Sequence, residues 1–193
     1  SRNFAWGGST AIRRAVFEQA EVLDQWQGAL SDDYALTTAI RRARLQIVYV
    51  PTCLVASYDS CSWRQLMEFT TRQILITRVY SPAMWRLGLT TYSLFTTTFL
   101  WLTYRMFGDW TFFLLWSLIY GLSIARADLR IAAAARVISD ASLRRHRWFY
   151  RLSPPLVSLL YQWNFLRTTF GRHLVWKGMA YTLLSPKETR LEK

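Results

Sequence analysis

Three short stretches hold side chains that could do chemistry. Ser31, Asp32, Asp33 and Tyr34 place an acidic pair at the start of a helical pattern that continues through Leu36, Ala39 and Ile40 to about Arg42. A carboxylate near a helix N-terminus tends to stay ionised, so it can hydrogen-bond a hydroxyl and take its proton. The same residues also suit a structural role: Ser31 or Asp32 can cap the helix, and acids in its first turn complement the dipole. The second stretch is Arg72 and Gln73, on a pattern that begins at Ser62. Its apolar side is Trp63, Leu66, Met67, Thr70 and Ile74, with Arg64, Glu68, Arg72 and Gln73 as polar positions. Unaided, Arg72 reads as a solvated helix face or a contact with lipid. The third stretch is Gly7, Gly8, Ser9 and Thr10. Two glycines permit tight turning and close backbone approach. Ser9 or Thr10 can cap a helix from about Ala11 to Ala20, and alone this pattern fits a simple turn.

The elements around these residues point to a membrane. Residues 87–104 and 110–125 carry no charged side chain, and Arg105, Met106, Phe107, Gly108 and Asp109 separate them. At about 1.5 Å per residue, the first run of about 18 residues crosses a core of roughly 30 Å with little tilt. The second, about 16 residues, reaches across if Trp110 and Arg126 sit at the interfaces. Gly108 and Asp109 are turn residues, so the pair reads as an antiparallel transmembrane hairpin. Arg64, Arg72, Arg78 and Arg86 precede it; Arg126, Arg130, Arg136, Arg144, Arg145, Arg147 and Arg151 follow it. Basic residues gather on the cytoplasmic side, which puts both ends of the hairpin there and the turn outside.

The chain of 193 residues has a formal net charge of +12, with 52% hydrophobic residues and 10 Trp, which suits one domain plus membrane elements with aromatic interface belts. The basic residues border apolar spans and form no free-standing patch, which argues against nucleic-acid binding. Juxtamembrane arginines instead favour anionic lipid. Cys53 and Cys61 are too few for a disulfide scaffold or a zinc site. His146 and His173 are isolated and read as surface residues. Residues 46–50 and 54–57 read as two strands around Pro51 and Thr52. Residues 127–139 are helix-prone. Residues 152–166 are uncharged but short for a crossing and flanked by arginine, so they read as re-entrant or interfacial. Residues 174–177 and 179–184 read as a short hairpin around Gly178, and 185–193 as a loose tail. The opening at Ser1, with no signal-peptide pattern, reads as the C-terminal part of a longer protein.

The order of these pieces resembles the C-terminal half of membrane-bound family 2 glycosyltransferases, close to the ceramide glucosyltransferase group. Carrying the likeness are the Gly-Gly-Ser before a helix, Asp32, Asp33 and Tyr34, then Arg72 and Gln73 ahead of the membrane segment. The closing Val175, Trp176, Lys177, Gly178, Met179, Ala180 and Tyr181 also fit. The resemblance implies an α/β fragment of a GT-A-type catalytic domain over 1–80, a transmembrane hairpin over 81–126, and basic interfacial helices with a tail over 127–193. It implies inverting transfer from a nucleotide-sugar donor to a lipid acceptor at the cytoplasmic membrane face. Asp33 matches the base and Asp32 its acidic neighbour. Arg72, with Gln73, matches the diphosphate contact, and Gly7, Gly8 and Ser9 the loop bordering donor and acceptor. Phe69, Thr70, Thr71, Arg72 and Gln73 align with the family's Q/R-x-x-R-W motif, but Phe69 and Gln73 depart from it, which leaves its aromatic platform open. A divalent Mg2+ or Mn2+ ion is implied for the full-length enzyme, with ligands outside this chain, and the fragment alone is expected to be inactive. The alternatives are a membrane-anchored scaffold or lipid-binding module built on residues 126–151, and a processive polysaccharide synthase.

Overall fold

A computed structural model of the chain describes residues 3–6, 8–53, 60–138, 143, 145–176 and 178–192. It divides into two compact units, Ser1–Trp85 with Arg167–Lys193, and Arg86–Leu166. The described fold is mostly helical with one small sheet.

The first unit begins with an extended segment, then α1 (Arg14–Gln19), α2 (Val22–Trp26) and α3 (Asp32–Arg42). The single helix expected over 11–20 is instead a short α1, cut off where Glu21 adopts φ 50° and α2 restarts the chain. Helix α3 follows its sequence signals. The Ser31 Oγ accepts the Tyr34 N–H at 3.4 Å; Asp32 and Asp33 fill the first turn, Arg41 and Arg42 the last. Its buried face is Ala35, Leu36, Ala39 and Ile40, of which Leu36, Ala39 and Ile40 pack with Ala5, Ala20 and Val22 into one core. The helix ends in a Schellman pair of bonds, Leu45 N–H to Ile40 O and Arg44 N–H to Arg41 O, with Arg44 at φ 58°.

Residues 46–50 are not a strand. They run without ladder partners into a 3-10 turn at Pro51–Cys53, because strand-forming side chains make no strand without a neighbouring backbone to pair with. The second strand expected over 54–57 lies outside the described residues.

Helix α4 (Trp63–Tyr80) starts on a full capping box between Ser62 and Gln65. Its Leu75 and Ile76 form a second core with Leu174 and Leu183 of the terminal sheet, flanked by Leu30, Tyr34, Val79, Tyr80 and Tyr181. That sheet is β1 (His173–Trp176), β2 (Met179–Ser185) and β3 (Glu188–Glu192), antiparallel in sequence order. Gly178 makes the expected β1–β2 turn at φ +81°. The tail is not loose: 188–192 pair with β2, and His173, read as isolated, has its Nδ1 2.5 Å from Glu192 Oε1 and 3.0 Å from Thr182 Oγ1.

The second unit is built from α5 (Pro82–Arg105), α6 (Trp110–Ala134), α7 (Arg147–Leu152) and α8 (Pro154–Phe170), of which α5 and α8 each share an end with the first unit. Asp109 caps α6 by accepting the Thr111 N–H at 2.8 Å. Beyond the turn, Trp101 meets Phe112 and Phe99 meets Trp116, while the Trp116 indole donates to Thr103 Oγ1 at 3.0 Å. The alanine-rich stretch continues α6 only as far as Ala134; 135–137 form a turn, and 139 lies outside the described residues. Among the described residues α6 alone is long and apolar enough to cross a membrane, and none of its apolar window is buried. Helix α5 is as long, but Arg86 and its threonines lower its mean hydropathy. Asp128 of α6 accepts from both nitrogens of a forked Arg151, at 3.1 and 2.9 Å, and from Arg147 at 3.0 Å. Part of the basic region is therefore engaged by an acid.

Candidate active site

The acidic pair sits where α3 meets the last turns of α4. Asp32 is exposed and Asp33 half-buried, and the Asp32 Oδ1 accepts the Asp33 N–H at 3.0 Å. The chain entering α3 is fixed from the other side. The Tyr80 hydroxyl oxygen accepts the N–H of Leu30 at 2.9 Å and of Ser31 at 3.3 Å. Burial pushes the Tyr80 phenol above its ordinary range, against those two bonds. Its hydroxyl therefore keeps its proton at neutral pH.

A second link joins the neighbours of the two candidate residues. Thr77 donates its hydroxyl proton to the Gln73 carbonyl at 2.8 Å, which leaves the Tyr34 hydroxyl to donate to Thr77 Oγ1 at 3.2 Å. Tyr34 follows Asp33 and Gln73 follows Arg72, so this short relay ties the two motifs through adjacent positions. The Tyr34 ring also lies 5.4 Å from that of Tyr80 and 5.7 Å from that of Phe4.

Three arginines lie on α4, and they are held in three ways. Arg64 pairs with Glu68 at 2.9 Å. Arg78 donates to the carbonyls of Thr168 and Gly171, with its guanidinium over the Trp85 ring. Arg72 is half-buried, with its guanidinium carbon 5.4 Å from the Phe69 ring centroid and 5.0 Å from that of Trp176. Among the described residues no acceptor takes a hydrogen bond from its guanidinium. Burial lowers its pKa, yet a guanidinium stays cationic. A half-buried cation that, among the described residues, has no paired acid and unspent donors can receive an anion. Gln73 is exposed.

The glycine loop is placed apart from these residues. Gly8 and Ser9, with Trp6, Thr10, Ile47 and Val48, line a cavity of about 810 Å³ to which neither Asp32, Asp33, Arg72 nor Gln73 contributes. Gly7 lies outside the described residues. The loop still reaches α3 through its upstream segment, since the Ala5 N–H donates to the buried Thr37 Oγ1 at 2.9 Å. Among the described residues no three His, Cys, Asp or Glu side chains gather where they could hold a metal ion. Sequence reading missed Trp176 as a neighbour of Arg72, although Phe69, one helical turn before it, was visible as a same-face residue.

The acidic pair at the start of α3 is thus linked, through Tyr34, Thr77 and the Gln73 carbonyl, to the helix that bears Arg72. The family model for glycosyl transferase family 21 matches residues 1–189, and the chain belongs to that family. The comparisons with curated proteins and with solved structures give no match.

Proposed function

We propose that this chain forms part of an inverting transferase that moves a sugar from a nucleotide-sugar donor to a lipid acceptor at the cytoplasmic face of a membrane. Asp33 takes the proton of the acceptor hydroxyl. That oxygen attacks the anomeric carbon from the side opposite the leaving group, and the bond from that carbon to the diphosphate oxygen breaks. The nucleoside diphosphate departs with the electron pair, and the Arg72 guanidinium offsets the charge that builds on it. Asp32 orients the start of α3 through its bond to the Asp33 N–H. The observation that supports this reading most is the Arg72 guanidinium, the one on α4 whose donors no group among the described residues occupies.

The exposed apolar length of α6 supports placing the acceptor in lipid. We read the chain as the C-terminal half of a GT-A-type enzyme, and assign no step to a metal ion because the described residues offer it no site. The scaffold reading is weaker, since Arg147 and Arg151 already engage Asp128. Asp33→Asn in the full-length protein should lower sugar transfer about a hundredfold or more, because an amide cannot accept the proton. Asp32→Asn keeps its acceptor oxygen and should retain activity within about threefold. Equal losses in both variants, or full activity in Asp33→Asn with normal folding, would sink the assignment.

A further inference from the structure

Arg72 lies within cation–π reach of two aromatic rings, and among the described residues no acceptor takes a hydrogen bond from its guanidinium. A guanidinium is planar: its five N–H donors point outward within the plane, and aromatic rings stack on the two faces. Phe69 lies three residues before Arg72 on the same face of α4. Trp176 comes from the end of β1, whose Leu174 is buried against Leu75 and Ile76 of α4. The two ring centroids lie 5.4 and 5.0 Å from the guanidinium carbon, within cation–π reach. The expected motif places its aromatic immediately after the arginine, where this chain has the exposed Gln73. Phe69 fills the motif's first position with a ring, and β1 brings a second ring from outside the motif.

We propose that Trp176 is a positioning residue: with Phe69, its indole face fixes the Arg72 guanidinium so that the in-plane N–H edge is presented to the diphosphate of the donor. The inference rests on the reading of Arg72 as the diphosphate contact and deepens it. Ring contacts limit the rotamers of a long side chain without using any of its donors. A carboxylate partner would have fixed it too, but would have neutralised the charge and occupied the edge. Trp176 touches neither substrate nor reacting atoms in this scheme; it acts through Arg72.

The test is calorimetric titration of inorganic pyrophosphate into the full-length protein in detergent, with four variants. Arg72→Ala should remove most of the affinity. Trp176→Ala should weaken it about tenfold, and Trp176→Phe, which keeps a ring face, by no more than about threefold. In an Arg72→Ala background, Trp176→Ala should add no further loss, which separates action through Arg72 from general loosening of the sheet. If Trp176→Ala does not fold, Trp176→Leu makes the same comparison with apolar volume but no π face. Wild-type protein that ignores pyrophosphate, or Arg72→Ala that binds it normally, would overturn the reading of Arg72 and this inference with it. An Arg72→Ala loss alongside a normal Trp176→Ala, or a Trp176 loss undiminished without Arg72, would overturn the role of Trp176 alone.

Discussion

The Tyr80 hydroxyl accepts the Leu30 backbone N–H at 2.9 Å, and through that bond the last turn of α4 sets where α3 begins. The same oxygen also takes the Ser31 N–H. Tyr80→Phe keeps the ring against Tyr34 and strands two partly buried donors. It should cost about 1–3 kcal/mol of stability. Because it also releases the start of α3, sugar transfer should fall while Asp33 remains in place. Chemical denaturation and turnover measured on the same preparation check both effects; a variant with unchanged midpoint and rate would show that the bond fixes nothing.

Gly28 precedes α3 with φ +71°, and a Cβ built there would lie 2.1 Å from the Lys187 carbonyl oxygen in the β2–β3 turn. Backbone cannot yield as a side-chain tip can. Gly28→Ala should therefore destabilise the first unit by about 2 kcal/mol or more, combining left-handed strain with overlap. Thermal unfolding followed by tryptophan fluorescence reads this out, and an unshifted midpoint would refute the close approach.

Arg44 occupies the left-handed position that ends α3, where glycine is usual. Arg44→Gly relieves the side-chain clash while keeping both Schellman bonds. A gain of about 0.5–1 kcal/mol is expected, reduced by the extra freedom of the unfolded chain. A loss of stability in denaturant titration would mean that the Arg44 side chain makes a contact worth more than the strain.

The Glu192 carboxyl lies below its ordinary value of 4.5, chiefly because the Thr182 hydroxyl donates to it and secondarily because His173 bonds it. A depressed carboxylate stabilises the fold above its unfolded pKa, and that contribution disappears as pH falls through the folded value. The sheet should therefore weaken on acidification below about pH 4.5, and Glu192→Gln should flatten the thermal midpoint over about pH 3–5. Parallel curves for the two proteins would remove Glu192 from the acid response.

Local residues suffice where local chemistry decides. The Ser31 cap, the Ser62–Gln65 capping box, the turn at Gly108 and Asp109 and the hairpin at Gly178 each follow from a few adjacent residues. What could not be read depends on distant backbone. Ile47, Val48 and Val50 have strand composition but no ladder neighbour, whereas charged Glu188, Arg190 and Glu192 form a strand because β2 offers one. The site divides in the same way. Asp32, Asp33 and Arg72 were visible from residue type and order, while the ring from Trp176 arrives through the packing of β1 on α4.

The order of the polypeptide gives the Arg72 arrangement a history during synthesis. Phe69 and Arg72 leave the ribosome before α5 and α6, and Trp176 only after both. For that interval the arginine has only the Phe69 ring of the two beside it. The ring of Trp176 can therefore reach Arg72 only once β1 has emerged and packed on α4. A nascent chain stalled before β1 would carry Asp33, Phe69 and Arg72 but lack the Trp176 ring.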